Sequence, residues 1–372
     1  MLSIFYILEI KQDRKMKIIS SHKIPTPCTS NHASNLLELE DGNLLCTWFG
    51  GSMEGSSDVS IYLSRFDSSS ETWSPAEKMS DDPTRSEQNP VIFTSPGKEL
   101  WLLYTAQLKT DQGTAIVRRR RSRDGGKTWE GIEDLFTGEG TFIRQTPVVN
   151  SRGYILVPIW HSNIKNAFGD DTSLVMVSRD GGSSWETIEV PESNGCVHMN
   201  ILSNCRAAFY RSRRSDRIYR SVSDDDGLSW SKPEATELPN NNASIQARLL
   251  SDDRILIIYN ENSARGRKSE SSIPPWIQDK EDFLRQCRIT EKSAVWGVPR
   301  NPLVISSSDD LGLNWKKELV VESDPNLRSE HDHKGSFIGD YSYPSVIQGR
   351  DGRIHISYSY LRDYIQHRIL SL

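Results

Sequence analysis

The sequence predicts an all-β chain wound as a six-bladed β-propeller, closed by pairing of its N- and C-terminal strands. Three observations predict it. An eight-residue pattern, Ser-x-Asp-x-Gly-x-(Thr/Ser/Asn)-Trp, recurs at residues 122–129, 178–185, 223–230 and 308–315, with a degraded copy at 64–73. Between the copies lie six apolar runs that alternate with period two, turn and return, which reads as six hairpins. Five of these hairpins are followed by the Trp pattern and the sixth only by the C-terminus, so the strand from about Met16 to Ile24 completes the last sheet.

The hairpins follow in order. Leu36 to Leu45 turns at Asp41-Gly42, Val91 to Tyr104 at Pro96-Gly97, and Val148 to Trp160 at Arg152-Gly153. Ile201 to Tyr210 turns near Asn204-Cys205, Leu249 to Tyr259 at Asp252-Asp253, and Val346 to Tyr358 at Asp351-Gly352. In the Trp pattern the Asp side chain accepts from backbone amides further on, the Gly permits positive φ, and the Trp plugs the space between neighbouring sheets. The pattern needs no nucleophile, base or metal, and is read as structural. Residues 1–15 are expected to be a loose extension and 16–372 a single propeller domain. An insertion at about 262–298 carries Pro274-Pro275 and then a short amphipathic helix over 276–288, placed to overhang one face.

Composition narrows the partners. A net charge of −5 gives no case for nucleic acid, and no apolar run is long enough to span a membrane. The basic run Arg118 to Arg121 reads as a solvated strand edge. Five cysteines without paired short spacing read as free thiols in a reducing compartment, so a cytoplasmic location is expected, with secretion left open. No Cys/His spacing matches a zinc site, and no cofactor is expected.

In a propeller the innermost strand of each blade begins at one mouth of the central channel. The six starts are rich in polar groups: His32, Arg85 and Asn89, Arg144 and Gln145, His198 and Asn200, Asn242 and Gln246, and Tyr343. Arg211 and Arg300 stand at strand ends facing the same centre. Arginines clamp carboxylates, and Asn, Gln and His suit sugar hydroxyls, so an acidic glycan is the expected ligand.

The Trp pattern resembles the Asp-box of sialidases (neuraminidases), which are six-bladed propeller enzymes, over most of the chain from about Lys17. The resemblance implies that Arg211 and Arg300 are the second and third members of a carboxylate-binding arginine triad. It implies that Tyr343 is the nucleophile, and that the loop from Trp48 to Asp58 carries the acid/base, as Asp58 or Glu54. The chain departs from that pattern in three places. His32-Ala-Ser34 stands where the first arginine belongs, Ser359 stands where its glutamate partner belongs, and His198 or Asn200 stands where the tyrosine's glutamate base belongs. Arg144 or Arg85 is the candidate for a replacement third cation, and with two clamps only weak turnover of ordinary sialosides is expected. The leading reading is a sialidase-like exo-glycoside hydrolase on a terminal acidic sugar. The alternatives are a lyase that uses His198 and Tyr343 for β-elimination on uronic-acid glycans, and a non-catalytic glycan-binding propeller.

Overall fold

The computed structural model describes residues 15–264, 272–277, 279–331 and 337–372; the extension expected over 1–15 lies almost wholly outside them. Six antiparallel sheets form the blades. Blade one runs from Ser30–Glu38 through Leu44–Gly51 and Ser60–Asp67 to Thr72–Trp73. Blades two to five begin at Arg85–Thr94, Thr141–Ile143, Cys196–Ile201 and Gln246–Leu249. Blade six comprises Tyr341–Gln348, Ile354–Tyr360 and Tyr364–Ser371, and its fourth strand is the N-terminal Lys17–Ile24. The two chain ends thus close the ring, with His22 directly opposite His367.

The four full Trp patterns share one construction. Asp124 Oδ1 accepts from the amides of Lys127 and Thr128, at 3.0 and 2.9 Å, and Oδ2 accepts from the Thr128 hydroxyl at 2.6 Å. Asp180, Asp225 and Asp310 repeat these bonds. The tryptophans seal the seams between blades: Trp185 packs edge-on to Trp101 of blade two, and Trp315 to Phe209 of blade four. Gly182 makes the seam between blades two and three possible, because a Cβ there would lie 2.2 Å from the Trp101 ring. None of the four tryptophans lines the central cavity described below.

Two local expectations change. The basic run is not an edge: Ile116–Ser122 pairs on both sides, and Arg118 bridges Asp82 and Asp134 at 2.8 Å each. The first strand of blade three is split into Thr141–Ile143 and Val148–Val149, both pairing with Ile155–His161. The gap holds Pro147, which has no N–H to give the ladder, and Arg144, which turns into the channel.

One irregularity recurs and positions the site. The first strands of blades one, two, four and six each carry one extra residue relative to their partners, at 32–35, 88–91, 197–200 and 342–345. Each bulge contains a left-handed residue that is not glycine: Ala33, Asn89, His198 and Tyr343. Asn242, just before the first strand of blade five, has the same conformation. Such backbones are strained by about 1–2 kcal/mol each.

The closure carries an acid-sensitive element. Trp73 Nε1 donates to His367 Nδ1 at 3.3 Å, which leaves His367 Nε2 to donate to His355 Nδ1 at 3.1 Å. Burial holds His355 down at about 4 and His367 well below the usual histidine range, with neighbouring cations adding to the effect on His367. An unfolded histidine titrates near 6.5. Between these values the unfolded chain binds more protons, so stability is lost as pH falls from about 6.5 toward 4. The melting temperature is therefore expected to drop across that interval, and less steeply in His355→Leu. A melting temperature indifferent to pH there would contradict this account.

Candidate functional site

The cavity at the channel mouth is built by two structural devices. The bulges of blades two, four and six present Asn89, His198 and Tyr343. The end of the second strand, or the connection that follows it, adds a side chain in each blade: Glu54, Gln112, Trp160, Arg211 with Arg213, Arg300, and Arg362. The insertion lies in the fifth of these connections and contributes Pro275, Trp276 and Trp296 as a wall. The helix expected there covers Lys280–Gln286, with Asp279 as its N-cap. Trp276 and Gln112 also line an adjoining cleft of about 870 Å³, into which the cavity opens.

Docking of the insertion depends on Gly169 of blade three, where a Cβ would stand 2.0 Å from the Lys292 carbonyl oxygen. Gly169→Ala is expected to lift the insertion, at a cost of about 1–3 kcal/mol. Faster proteolytic cleavage within 262–298 would report it, and unchanged cleavage would refute it.

Tyr343 is held from every side. Its Oη accepts from Arg211 Nη1 at 2.5 Å, and its ring packs tilted against His32, centroids 4.1 Å apart. Arg211 also donates from Nε to Asn242 Oδ1 at 2.7 Å, and its Nη1 lies 3.4 Å from His198 Nε2. His198 is fixed by Trp160, 4.5 Å away, and by Ser244 Oγ at 3.1 Å from Nδ1. Burial, then the charges of Arg211, Arg213 and Arg144, keep His198 far below the usual histidine range, so it is neutral.

The arginines are unequally paired. Arg213 bridges Asp171 at 2.7 Å, Arg362 bridges Glu54 at 2.7 Å, and Arg300 lies 3.4 Å from Asp340. Arg211 is 2% exposed and has no carboxylate partner among the described residues. Burial lowers it to about 10, still fully charged at neutral pH. A buried cation without a counter-ion is costly, and an anion entering this cavity would relieve that cost.

The remaining sequence candidates lie outside the cavity lining. Asp58 is exposed and ties down its own loop, accepting from the Ser52 amide and hydroxyl at 2.9 Å each. Arg85 donates to the carbonyls of Ala106 and Thr114, at 3.0 Å each. Arg144 lies beneath the site and donates to the carbonyls of Ser34, Tyr343 and Pro344, so it braces the backbone of Tyr343 rather than facing the cavity. Gln145, Asn200 and Gln246 tie blades together: Gln145 reaches past blade four to the Ile245 carbonyl at the start of blade five, Asn200 holds the Ala247 amide of the next blade and Gln246 the Val346 amide of the next. Asn242 orients Arg211. His32 lies behind Tyr343, with Nδ1 2.7 Å from Ser359 Oγ. The two positions that depart together from the sialidase pattern are therefore in contact, as a neutral pair. His198 does not reach the Tyr343 hydroxyl directly, because Arg211 stands between them.

The sequence reading missed Arg362. It occupies the turn after Ile354–Tyr360, the place in blade six that Arg211 and Arg213 occupy near blade four's second-to-third-strand turn. Attention to strand starts passed over it; attention to these connections would have found it.

The comparisons bear on the family and the fold. A family model described as a BNR repeat-like domain matches residues 42–356. The chain belongs to that family. No curated protein matches it in sequence. Among solved structures, this BNR repeat-like protein is similar to a protein of unknown function from Dyadobacter fermentans, with TM-score 0.69 and 15% identity over 96% of this chain and 100% of that one. It is also similar to a Hadza microbial sialidase, with TM-score 0.66 and 14% identity, covering 92% of this chain and 66% of the sialidase. The Trypanosoma rangeli sialidase gives TM-score 0.62 and 13% identity, over 92% of this chain and 55% of that one. At these identities the likeness establishes the sialidase-like propeller fold.

Proposed function

We propose that this BNR repeat-like protein is a sialidase-like exo-glycosidase acting on a terminal sugar that bears a carboxylate. One observation carries the reading: the buried, uncompensated Arg211 touches the hydroxyl of Tyr343 inside a cavity rimmed by further arginines. A ligand carboxylate drawn to Arg211, Arg300 and Arg362 brings the adjacent anomeric carbon toward Tyr343. Arg362 supplies the third cation in the cavity, beside Arg211 and Arg300. Tyr343 Oη bonds to the anomeric carbon as the glycosidic C–O bond breaks, and Glu54 gives a proton to the leaving oxygen. The phenol proton passes to neutral His198 once the ligand has drawn Arg211 aside. Water, deprotonated by Glu54, then replaces Tyr343, and the proton on His198 returns to the phenolate. A panel of reporter glycosides of acidic sugars, with their methyl esters as uncharged controls, tests the reading. Turnover of the esters at the rate of the acids would overturn it.

A second reading has one observation in its favour. Glu54 is engaged by Arg362, whereas His198 is neutral and Tyr343 is close by, which suits β-elimination on a uronic acid. Near-ultraviolet absorbance of digested oligosaccharide, from the unsaturated product, distinguishes lyase from hydrolase.

A further inference from the structure

Glu54 has a difficulty as a proton donor. Its Oε2 sits 2.7 Å from Arg362 Nη1, and Arg362 is itself buried. Burial alone would raise the carboxyl, but Arg362, then Arg300 and Arg211, more than offset it and hold Glu54 below its ordinary value. The resting group is a carboxylate with no proton to give.

We infer that the substrate's own carboxylate unlocks Glu54, taking its place on Arg362 and converting it from ion-pair partner into proton donor. This rests on the reading of the cavity as an anionic-sugar site. The exchange is feasible because Arg362 has a second carboxylate in reach. Asp340 Oδ2 lies 3.9 Å from Arg362 Nε and 3.4 Å from Arg300 Nη1, so a carboxylate stays close to Arg362 when Glu54 lets go. The charged and titratable groups around Glu54 are Arg362, Asp340 and Tyr343 from blade six, Arg300 from the fifth connection, and Arg211, Arg213 and His198 from blade four. Asp58 of its own loop is exposed and tied to Ser52. An anion among the three arginines neutralises the charges that held Glu54 ionised and adds a like charge beside it. Both changes favour the protonated form, and burial then works in the same direction. The proton comes from solvent. A neutral sugar in the same place leaves Glu54 paired and ionised, so the substrate's charge selects for reaction as well as for binding.

Calorimetric titration of the full chain at pH 7 tests this, repeated in buffers of different ionisation enthalpy. The probes are N-acetylneuraminic acid and glucuronic acid, with the methyl ester of each as uncharged control. The expected result is uptake approaching one proton per bound acid and none for an ester. Uptake should vanish in Glu54→Gln, which still binds. It should also shrink in Arg362→Met, where Glu54 has no ion-pair partner for the ligand to displace. Binding without proton uptake in the unaltered protein overturns the inference and leaves the anionic-sugar reading standing. Uptake that persists in Glu54→Gln also overturns it and assigns the proton to His198 or His32. Failure of both acids to bind defeats the anionic-sugar reading and the inference with it.

Discussion

Replacing Tyr343 by Phe is expected to lower kcat by on the order of a thousandfold or more, while ligand affinity stays within a few-fold. The ring is held by contacts that do not involve the hydroxyl: His32 at 4.1 Å and the Arg300 guanidinium at 5.3 Å. The substitution therefore removes the phenolic oxygen and its hydrogen bond from Arg211 but leaves the cavity wall in place. His198→Ala should act in the same direction, and the double variant should be little worse than either single one, because the two groups serve one step. Steady-state kinetics on the three variants, with ligand binding measured alongside, decide it. Near-normal turnover in Tyr343→Phe would exclude covalent catalysis through this oxygen.

Arg211→Met should weaken binding of an acidic sugar by about a hundredfold, the loss of one or two charge-assisted hydrogen bonds. Arg300→Ala should cost less, because Arg300 is partly exposed and shares Asp340, whereas Arg211 is buried with no carboxylate of its own among the described residues. The uncharged methyl ester should bind both variants about as it binds the unaltered protein. Equal weakening of acid and ester in Arg211→Met would mean that Arg211 supports the cavity's shape rather than the ligand's charge.

The fold was legible because its signals are local. Asp124, Asp180, Asp225 and Asp310 fasten their own turns within four residues, so the repeat announces itself without tertiary context. The site was half legible. Tyr343, His198, Asn89, Arg211, Arg300 and Glu54 do converge. His32 and Asn200 were misplaced because a bulge reverses which side of the strand faces the cavity, whereas Gln145 lies in the break of blade three's first strand and Gln246 follows the left-handed turn at Asn242. Nothing in the composition marks these bulges, since their left-handed residues are Ala, Asn, His and Tyr and not Gly. Arg362 was hidden for a different reason. Its relation to Glu54 spans the closure of the ring, a pairing of the first blade with the last that no short window of sequence contains.

The repeated bulge has a consequence for how such a protein can change its chemistry. Each bulged strand already tolerates an L-residue in an unfavourable backbone well, so exchanging that side chain alters what the cavity displays without shifting a single ladder pair. Asn89, His198 and Tyr343 are mounted alike on a fixed chassis, and Ala33 is a fourth such position whose methyl group packs among apolar neighbours instead. A laboratory search for new specificity would do best to vary Asn89, keep His198 and Tyr343, and leave the Trp-motif turns alone, since reach into the cavity and cohesion of the ring are assigned to separate residues.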